Sequence, residues 1–118
     1  MPKINEDLAG ALRRYTALMR KKAYFEAHEV LEEAWHPLRV RRDPRANLAK
    51  GLINAAIAFE HLRRKRTGYV ANARKTMGAY ERYKGLCREG IEAFALFAEA
   101  CAIVEKLKNE SGFDFGGT

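Results

Sequence analysis

The segment from residue 44 to about residue 65 most constrains the fold, because as a helix it is apolar around nearly its whole circumference. Ile53 and Ile57 lie on the opposite side from one broad apolar face. A helix of this kind must be covered by neighbours on most sides. It is therefore predicted to be the central helix of the domain, and its broad face comprises Leu48, Gly51, Leu52, Ala55, Ala56, Phe59 and Leu62.

Four more segments show helical periodicity, and no stretch alternates β-branched residues over a useful length. They span about 4–20, 24–36, a region after Gly68, and 91–108. Pro37 is predicted to end the second helix, and Asp43 followed by Pro44 is predicted to cap and begin the central one. The sequence thus predicts an all-α, single-domain compact bundle of about five helices over residues 1–110. A flexible Gly-rich tail at 111–118 follows, in which Phe113 and Phe115 are able to dock onto the body.

Composition points to a soluble protein of the cytoplasm. The 118 residues are 47% hydrophobic and 31% charged, and no apolar run approaches the roughly 18 residues of a membrane span. The N-terminal residues show no secretory signal pattern. Cys87 and Cys101 lack the spacing of a disulfide framework or zinc site, so they are expected to be reduced thiols. No membrane partner is expected.

The formal net charge of +7 raises nucleic acid as a partner. The basic residues cluster at predicted helix ends and loops, where they also complement helix dipoles or remain solvated. Aromatic residues do not interleave with them, so contact with a phosphate backbone without base reading is the most they support. The candidates for such contact are Arg39, Arg41, Arg42, Arg45, Arg63 and Arg64.

The segment 25–35, FEAHEVLEEAW, concentrates ionisable groups on one helix. Helical projection predicts that His28, Glu32 and Trp35 turn inward, with Glu29 at the margin. On the central helix a thin polar line includes Asn54 and His61, which are spaced by seven residues and so nearly stacked. Buried polar groups need partners. These six residues therefore form a candidate polar cluster or pocket between the second and third helices.

Together, FEAHEVLEEAW and the later KGLINAAIAFEHL resemble the family catalogued as domain of unknown function 309. Its signature is similar to a YFEAHE-LE--W helix followed by a GLIQ-A-A-x-x-H helix, and here the resemblance covers about residues 15–83. It implies a small all-helical fold and no particular activity. Two positions depart from the pattern: Lys22 stands where the family usually has glycine, which suggests a differently shaped turn, and Asn54 stands where it has glutamine.

Three interpretations of this cluster remain open. The leading one is an internal hydrogen-bond network of His28, Glu32, Asn54 and His61 in a protein that acts by binding rather than catalysis. The second is a small-molecule pocket. The third is metal-assisted or acid–base hydrolysis using His28, Glu32 and His61, whose spacing matches no complete metal motif. No cofactor is predicted and the partner is unknown. The fifth segment is apolar enough to fit a homo-oligomer interface or a monomer core.

Overall fold

The computed structural model describes residues 7–115 and contains five α-helices packed into one bundle, which confirms the all-α fold class. No strand occurs within that range. The third helix packs against the second, fourth and fifth, as expected for a central helix, and a short 3₁₀ turn, Lys84–Leu86, follows the fourth. The helices are α1 (Leu8–Arg20), α2 (Tyr24–Val40), α3 (Arg45–Arg64), α4 (Tyr69–Tyr83) and α5 (Phe94–Ser111).

α1 begins where its polar cap is. The Asp7 carboxylate accepts a hydrogen bond from the Gly10 backbone N–H at 3.1 Å, which satisfies one of the otherwise unpaired donors of the first turn. Further along, the fully buried Tyr15 hydroxyl donates to the Leu52 carbonyl of α3 at 2.6 Å. This bond supplies the partner that a buried hydroxyl requires and ties α1 to the central helix. The predicted first turn at residues 4–6 lies outside the described residues.

α2 continues through Pro37 to Val40, so the prediction that proline ends this helix is wrong. Proline removes one backbone hydrogen bond and crowds the preceding turn. Here only one more turn follows it, and that turn places the side chain of Leu38 in the core at 1% exposure. Burying a leucine is worth about 2 kcal/mol, which offsets much of the local cost.

The turn between α2 and α3 is organised by Asp43. Its carboxylate accepts from the Arg45 backbone N–H at 2.9 Å and from the Arg45 guanidinium at 3.0 and 2.7 Å. Asp43 thus bonds to the first turn of α3, but Pro44 occupies the N-cap position predicted for it, and α3 begins at Arg45, one residue after the predicted start. Its short connection makes α3 run antiparallel to α2: Arg64 lies over the Phe25 ring at one end, and Lys50 lies over Trp35 at the other.

α3 and α4 approach closely at Gly51, which is buried on α3. A Cβ atom added there would lie 3.1 Å from the Cα of Tyr80 and 3.3 Å from the carbonyl oxygen of Ala79. A side chain there would push the two backbones apart by a few tenths of an ångström, whereas glycine fits without a shift. Gly51, a small residue of the predicted broad face, thus lets two helices come together.

α5 begins at Phe94, three residues later than expected, because Ala93 adopts a left-handed conformation with φ of 66° just before it. The buried part of α5 includes Phe97 and Val104. After α5, Phe115 packs edge-on against Phe59 of α3, with ring centroids 5.8 Å apart. Residues 116–118 of the predicted flexible tail lie outside the described residues, as do residues 1–6.

Across residues 7–115, no helix combines the length and the apolar character needed to cross a lipid bilayer.

Candidate functional site

The exposed edge of α2 carries most of the motif's ionisable residues. The helix buries Tyr24, Ala27, Leu31, Ala34 and Leu38, and Glu32 lies about 120° around the helix from the centre of that buried face. Both Glu32 and Glu29 are exposed. The prediction that Glu32 turns inward is therefore wrong, because the core of the bundle covers a narrower arc of α2 than the apolar stripe suggested.

His28 and Trp35 lie at the border between the buried and exposed faces of α2, and both are half-buried. Trp35 is flanked by two cations: the Lys50 ammonium nitrogen is 4.5 Å from the ring centroid, and the Arg39 guanidinium carbon is 5.5 Å from it. Both distances are in the range of cation–π attraction. Trp35 thus anchors the Lys50 end of the α2–α3 contact and does not line the pocket that contains His28 and His61.

On α3, a line of less buried residues follows the helix at spacings of three and four. Its members are only partly covered by neighbouring helices or are exposed, whereas most residues between Leu48 and Glu60 are buried. Such spacing places side chains one above the other along a helix. The line consists of Lys50, Asn54, Ile57, His61 and Arg64.

A pocket of about 240 Å³ opens between α2 and α3 at the end where Phe25 faces Arg64. His28 and His61, named from separate parts of the sequence, both line it. Phe25, which is 44% exposed, and Ile57 supply its apolar wall. The charged residues that complete the lining are Glu60, Arg64 and Arg66.

The His28 ring is held in place from two directions. Its centroid is 4.9 Å from that of Phe25 in an edge-on arrangement, and its Nδ1 is 2.6 Å from the Phe25 carbonyl oxygen. Because a carbonyl only accepts, Nδ1 carries the hydrogen and donates it. In the neutral ring, Nε2 then keeps its lone pair. His28 therefore presents an acceptor when neutral and a donor when protonated.

The sequence candidates did not include four residues of the pocket lining, of which Glu60 is the most informative; the others are Phe25, Ile57 and Arg66. Glu60 is 7% exposed, and its carboxylate accepts from Arg63 at 2.9 and 2.6 Å and from Arg64 Nε at 2.5 Å. These bonds, with that from Arg63 as the main cause, lower the pKa of Glu60 despite its burial. The available signal was a glutamate within an apolar helix, three and four residues before two arginines.

The predicted cluster is thus brought together only in part. His28 and His61 share the pocket, whereas Glu29 and Glu32 are exposed and Asn54 lies further along α3 without lining it. Within residues 7–115 no hydrogen bond joins the side chains of His28, Glu32, Asn54 and His61. The predicted hydrogen-bond network is not formed there.

The residues proposed as metal ligands are also not brought together as a set. No three His, Cys, Asp or Glu side chains in the described part of the chain come together as a set that could hold a metal ion. His28, Glu32 and His61 therefore do not form the ligand set considered from the sequence.

Cys101 is not a reactive thiol. Burial is the main cause that raises the pKa of Cys101 to about 12, and a thiol must lose its proton to act as a nucleophile.

The basic loops are partly neutralised by the protein itself. Arg45 is paired with Asp43 at 2.7 Å and lies 3.4 Å from Glu92, and this pairing lowers the pKa of Asp43 to about 2, chiefly through the Arg45 side-chain hydrogen bond. Arg41 is 3.8 Å from Asp43, while Arg42 is exposed. Arg63 donates twice to Glu60, Arg64 donates to it only through Nε, and Arg39 lies over Trp35, so several of the six predicted phosphate-contacting residues are at least partly engaged.

Fold and site together define a small all-α protein with an open pocket between two antiparallel helices, which combines an apolar wall with charged residues. A family model described as Domain of unknown function (DUF309) matches residues 12–72, just over half of the chain. The chain therefore belongs to that family, which confirms the resemblance inferred from its motifs. The matched region includes α2 and α3 in full and Arg66 just after them, and hence every pocket residue. No curated protein and no solved structure matched the chain.

Proposed function

We propose that this protein binds a small molecule in the pocket between α2 and α3. The observation that supports this function is the convergence of Phe25 and His28 from one motif with His61 from the other on a single solvent-connected pocket. Concave sites with an apolar wall and a few convergent polar groups are typical of ligand binding. An internal structural network would instead have enclosed these groups.

The exposure of Phe25 also favours binding. A phenyl ring that is 44% exposed beside two imidazoles leaves apolar surface that a ligand would remove from water. The ring is nevertheless ordered by its neighbours, His28 at its edge and Arg64 above it. A wall that is already positioned costs little conformational entropy when a ligand binds.

We assign no reaction to this pocket. The hydrolytic alternative needs a positioned carboxylate or metal beside the histidines, whereas Glu32 is exposed and Glu60 is engaged by two arginines. Nucleic-acid binding needs unengaged cations, and two of its candidate residues, Arg45 and Arg63, each donate twice to a carboxylate. Binding is the function that the geometry supports best.

The test is a titration of the purified full-length protein with four small aromatic probes: phenol, benzamide, benzoate and phenyl phosphate. The ring signals of His28 and His61 are followed by NMR. We expect at least one probe to shift both signals saturably. His61→Ala should weaken that probe by about tenfold, the loss typical of one well-placed contact. Failure of all four probes to shift both rings would refute the proposal.

His36→Ala is the matched control. His36 is exposed on α2 and lies beside Trp35 with ring centroids 6.1 Å apart, so this variant loses the same side chain outside the pocket. It should bind the probe as the unaltered protein does. Equal weakening in both histidine variants would show that the effect does not arise in the pocket.

A further inference from the structure

The charges around the pocket do not balance. Glu60 is its only carboxylate among the described lining residues, and Arg64 and Arg66 line the same pocket. One negative charge therefore faces two positive ones. A low-polarity recess with a surplus of one sign concentrates ligands of the opposite sign.

Glu60 leaves most of Arg64 available. Arg64 donates to the carboxylate through Nε alone, although a guanidinium carries five N–H donors. Its Nη groups make no other hydrogen bond within residues 7–115, and its guanidinium carbon lies 5.5 Å from the Phe25 ring centroid. The group is thus oriented by a carboxylate and an aromatic face while its terminal donors remain unused. A planar guanidinium held in this way suits an oxyanion, which accepts two parallel hydrogen bonds.

The remaining lining is suited to a carbon body rather than to a free inorganic ion. Phe25 and Ile57 give the pocket an apolar wall. Covering this wall with an apolar group removes apolar surface from water and so favours binding. Arg66 lies at the same end and is exposed, with no ion pair to a carboxylate in the described region. Cationic and apolar contacts therefore lie on the same recess.

From this arrangement, we infer that the pocket takes a small organic oxyanion, a phosphate or carboxylate group carried on an apolar or aromatic body. Arg64 and Arg66 bind the oxyanion, and Phe25 and Ile57 contact the body. This ligand class rests on the proposed binding function. It adds the sign of the ligand's charge and the residues that select it.

The experiment measures dissociation constants for phenyl phosphate, benzoate and benzamide at one fixed ionic strength. Benzamide carries the same ring without charge. We expect phenyl phosphate or benzoate to bind about tenfold more tightly than benzamide, because charge-assisted hydrogen bonds to Arg64 are strong. The ratio between the two anions identifies the phosphate or the carboxylate as the preferred group, and either result supports the inference.

The double variant Arg64→Gln, Arg66→Gln should lose about tenfold in affinity for the preferred anion and little for benzamide. Arg63 still pairs with Glu60 in this variant. The control, Arg13→Gln with Arg14→Gln, removes the same net charge from exposed positions on α1. It should stay within about twofold of the unaltered protein. If the double variant does not fold, Arg66→Gln alone, an exposed single change, should weaken the anion by about threefold.

Three results would overturn the inference. The first is that benzamide binds as tightly as both anions, and the second is that the pocket variant and the α1 control lose the same affinity for the preferred anion. The third applies if the double variant does not fold: Arg66→Gln alone then causes no loss of affinity for that anion. In the first case the pocket still binds a ligand, so the proposed function survives and only the charge selection fails. If none of the probes binds, the proposed function itself fails.

Discussion

The two sides of α3 differ in how completely neighbouring helices cover them. On the side toward α4, Gly51 allows the backbones to meet, with the Tyr80 Cα 3.1 Å from the position of an added Cβ. On the outer line toward α2, Ile57 and His61 are only half-buried and a pocket remains open. One side is too tight for a methyl group without a backbone shift, and the other leaves room for a ligand.

This difference separates two kinds of residue within one family motif. In KGLINAAIAFEHL, the glycine, leucine and alanines are buried at helix contacts, whereas the final histidine lines the pocket. A motif shared by a family therefore need not describe a single feature. Here part of it specifies a close helix–helix approach, and part of it contributes to a recess.

The ion pairs between α4 and α5 also differ from those at the pocket, in how their charges balance. Between α4 and α5, Glu81 and Glu105 are balanced by Lys84 and Lys108, and the Tyr80 hydroxyl donates to Glu105 at 2.5 Å. At the pocket, Glu60 faces a surplus of arginines. A balanced cluster has no net charge to offer a ligand, whereas an unbalanced one does.

The largest expected effect comes from filling the closed side. Gly51→Leu should lower the free energy of unfolding by about 3 kcal/mol, because a side chain there forces the α3 and α4 backbones apart. The measurement is urea denaturation followed by circular dichroism. Gly78→Leu is the control, since a Cβ at Gly78 meets nothing within 4 Å, and it should not destabilise the protein. Equal losses at both positions would contradict the close approach.

An intermediate effect is expected at the start of α3. Pairing with Arg45 lowers the pKa of Asp43 to about 2, below the roughly 3.9 of an unfolded aspartate. The pair therefore stabilises the fold above about pH 4, and this contribution is lost as pH falls toward 2. Asp43→Asn keeps a capping side chain but not the charge.

Asp43→Asn should cost about 1 to 2 kcal/mol at pH 7 and almost nothing near pH 2. Urea denaturation across this pH range measures the difference. A cost that does not change with pH would show that hydrogen-bond geometry, rather than the ion pair, stabilises this turn. Because Asp43 does not line the α2–α3 pocket, probe affinity at pH 7 should be unchanged.

The smallest change in stability is expected from a matched pair of carboxylate variants, only one of which should change ligand binding. Glu60→Gln and Glu81→Gln should each lower the free energy of unfolding by about 1 kcal/mol or less, because their partners are partly exposed. Only Glu60→Gln should tighten phenyl phosphate, by about threefold, since it removes a carboxylate that competes for Arg64. Tighter binding in both variants would indicate a long-range charge effect instead of a pocket effect.

Much of the fold follows from local sequence signals. The periodicity of apolar residues predicted all five helices, and Asp43 before proline predicted where the central helix begins. The errors lie where tertiary packing overrides a local rule. Pro37 does not end α2 because Leu38 beyond it is buried, and α5 starts late because Ala93 takes a left-handed conformation. In both cases long-range packing decided the conformation of a few residues.

The candidate site was predictable in part for the same reason. Periodicity predicted that His28 turns inward and that His61 lies on a polar line of the central helix; both are half-buried, and both line the pocket. It could not tell that Glu32 is exposed while Glu60, within an apolar helix, is a buried partner of two arginines. The angle of a side chain around its own helix is a local property, but its burial depends on which arc of that helix the neighbouring helices cover.

By itself, therefore, the sequence determined that this protein is helical, which helix is central and to which family it belongs, because these follow from short-range periodicity and motif spacing. Only the tertiary structure decided which polar residues share a pocket and which charges remain unbalanced there. Those properties depend on the separation of α2 and α3, where Trp35 and the Asp43 turn lie, and no local pattern in either helix encodes that separation.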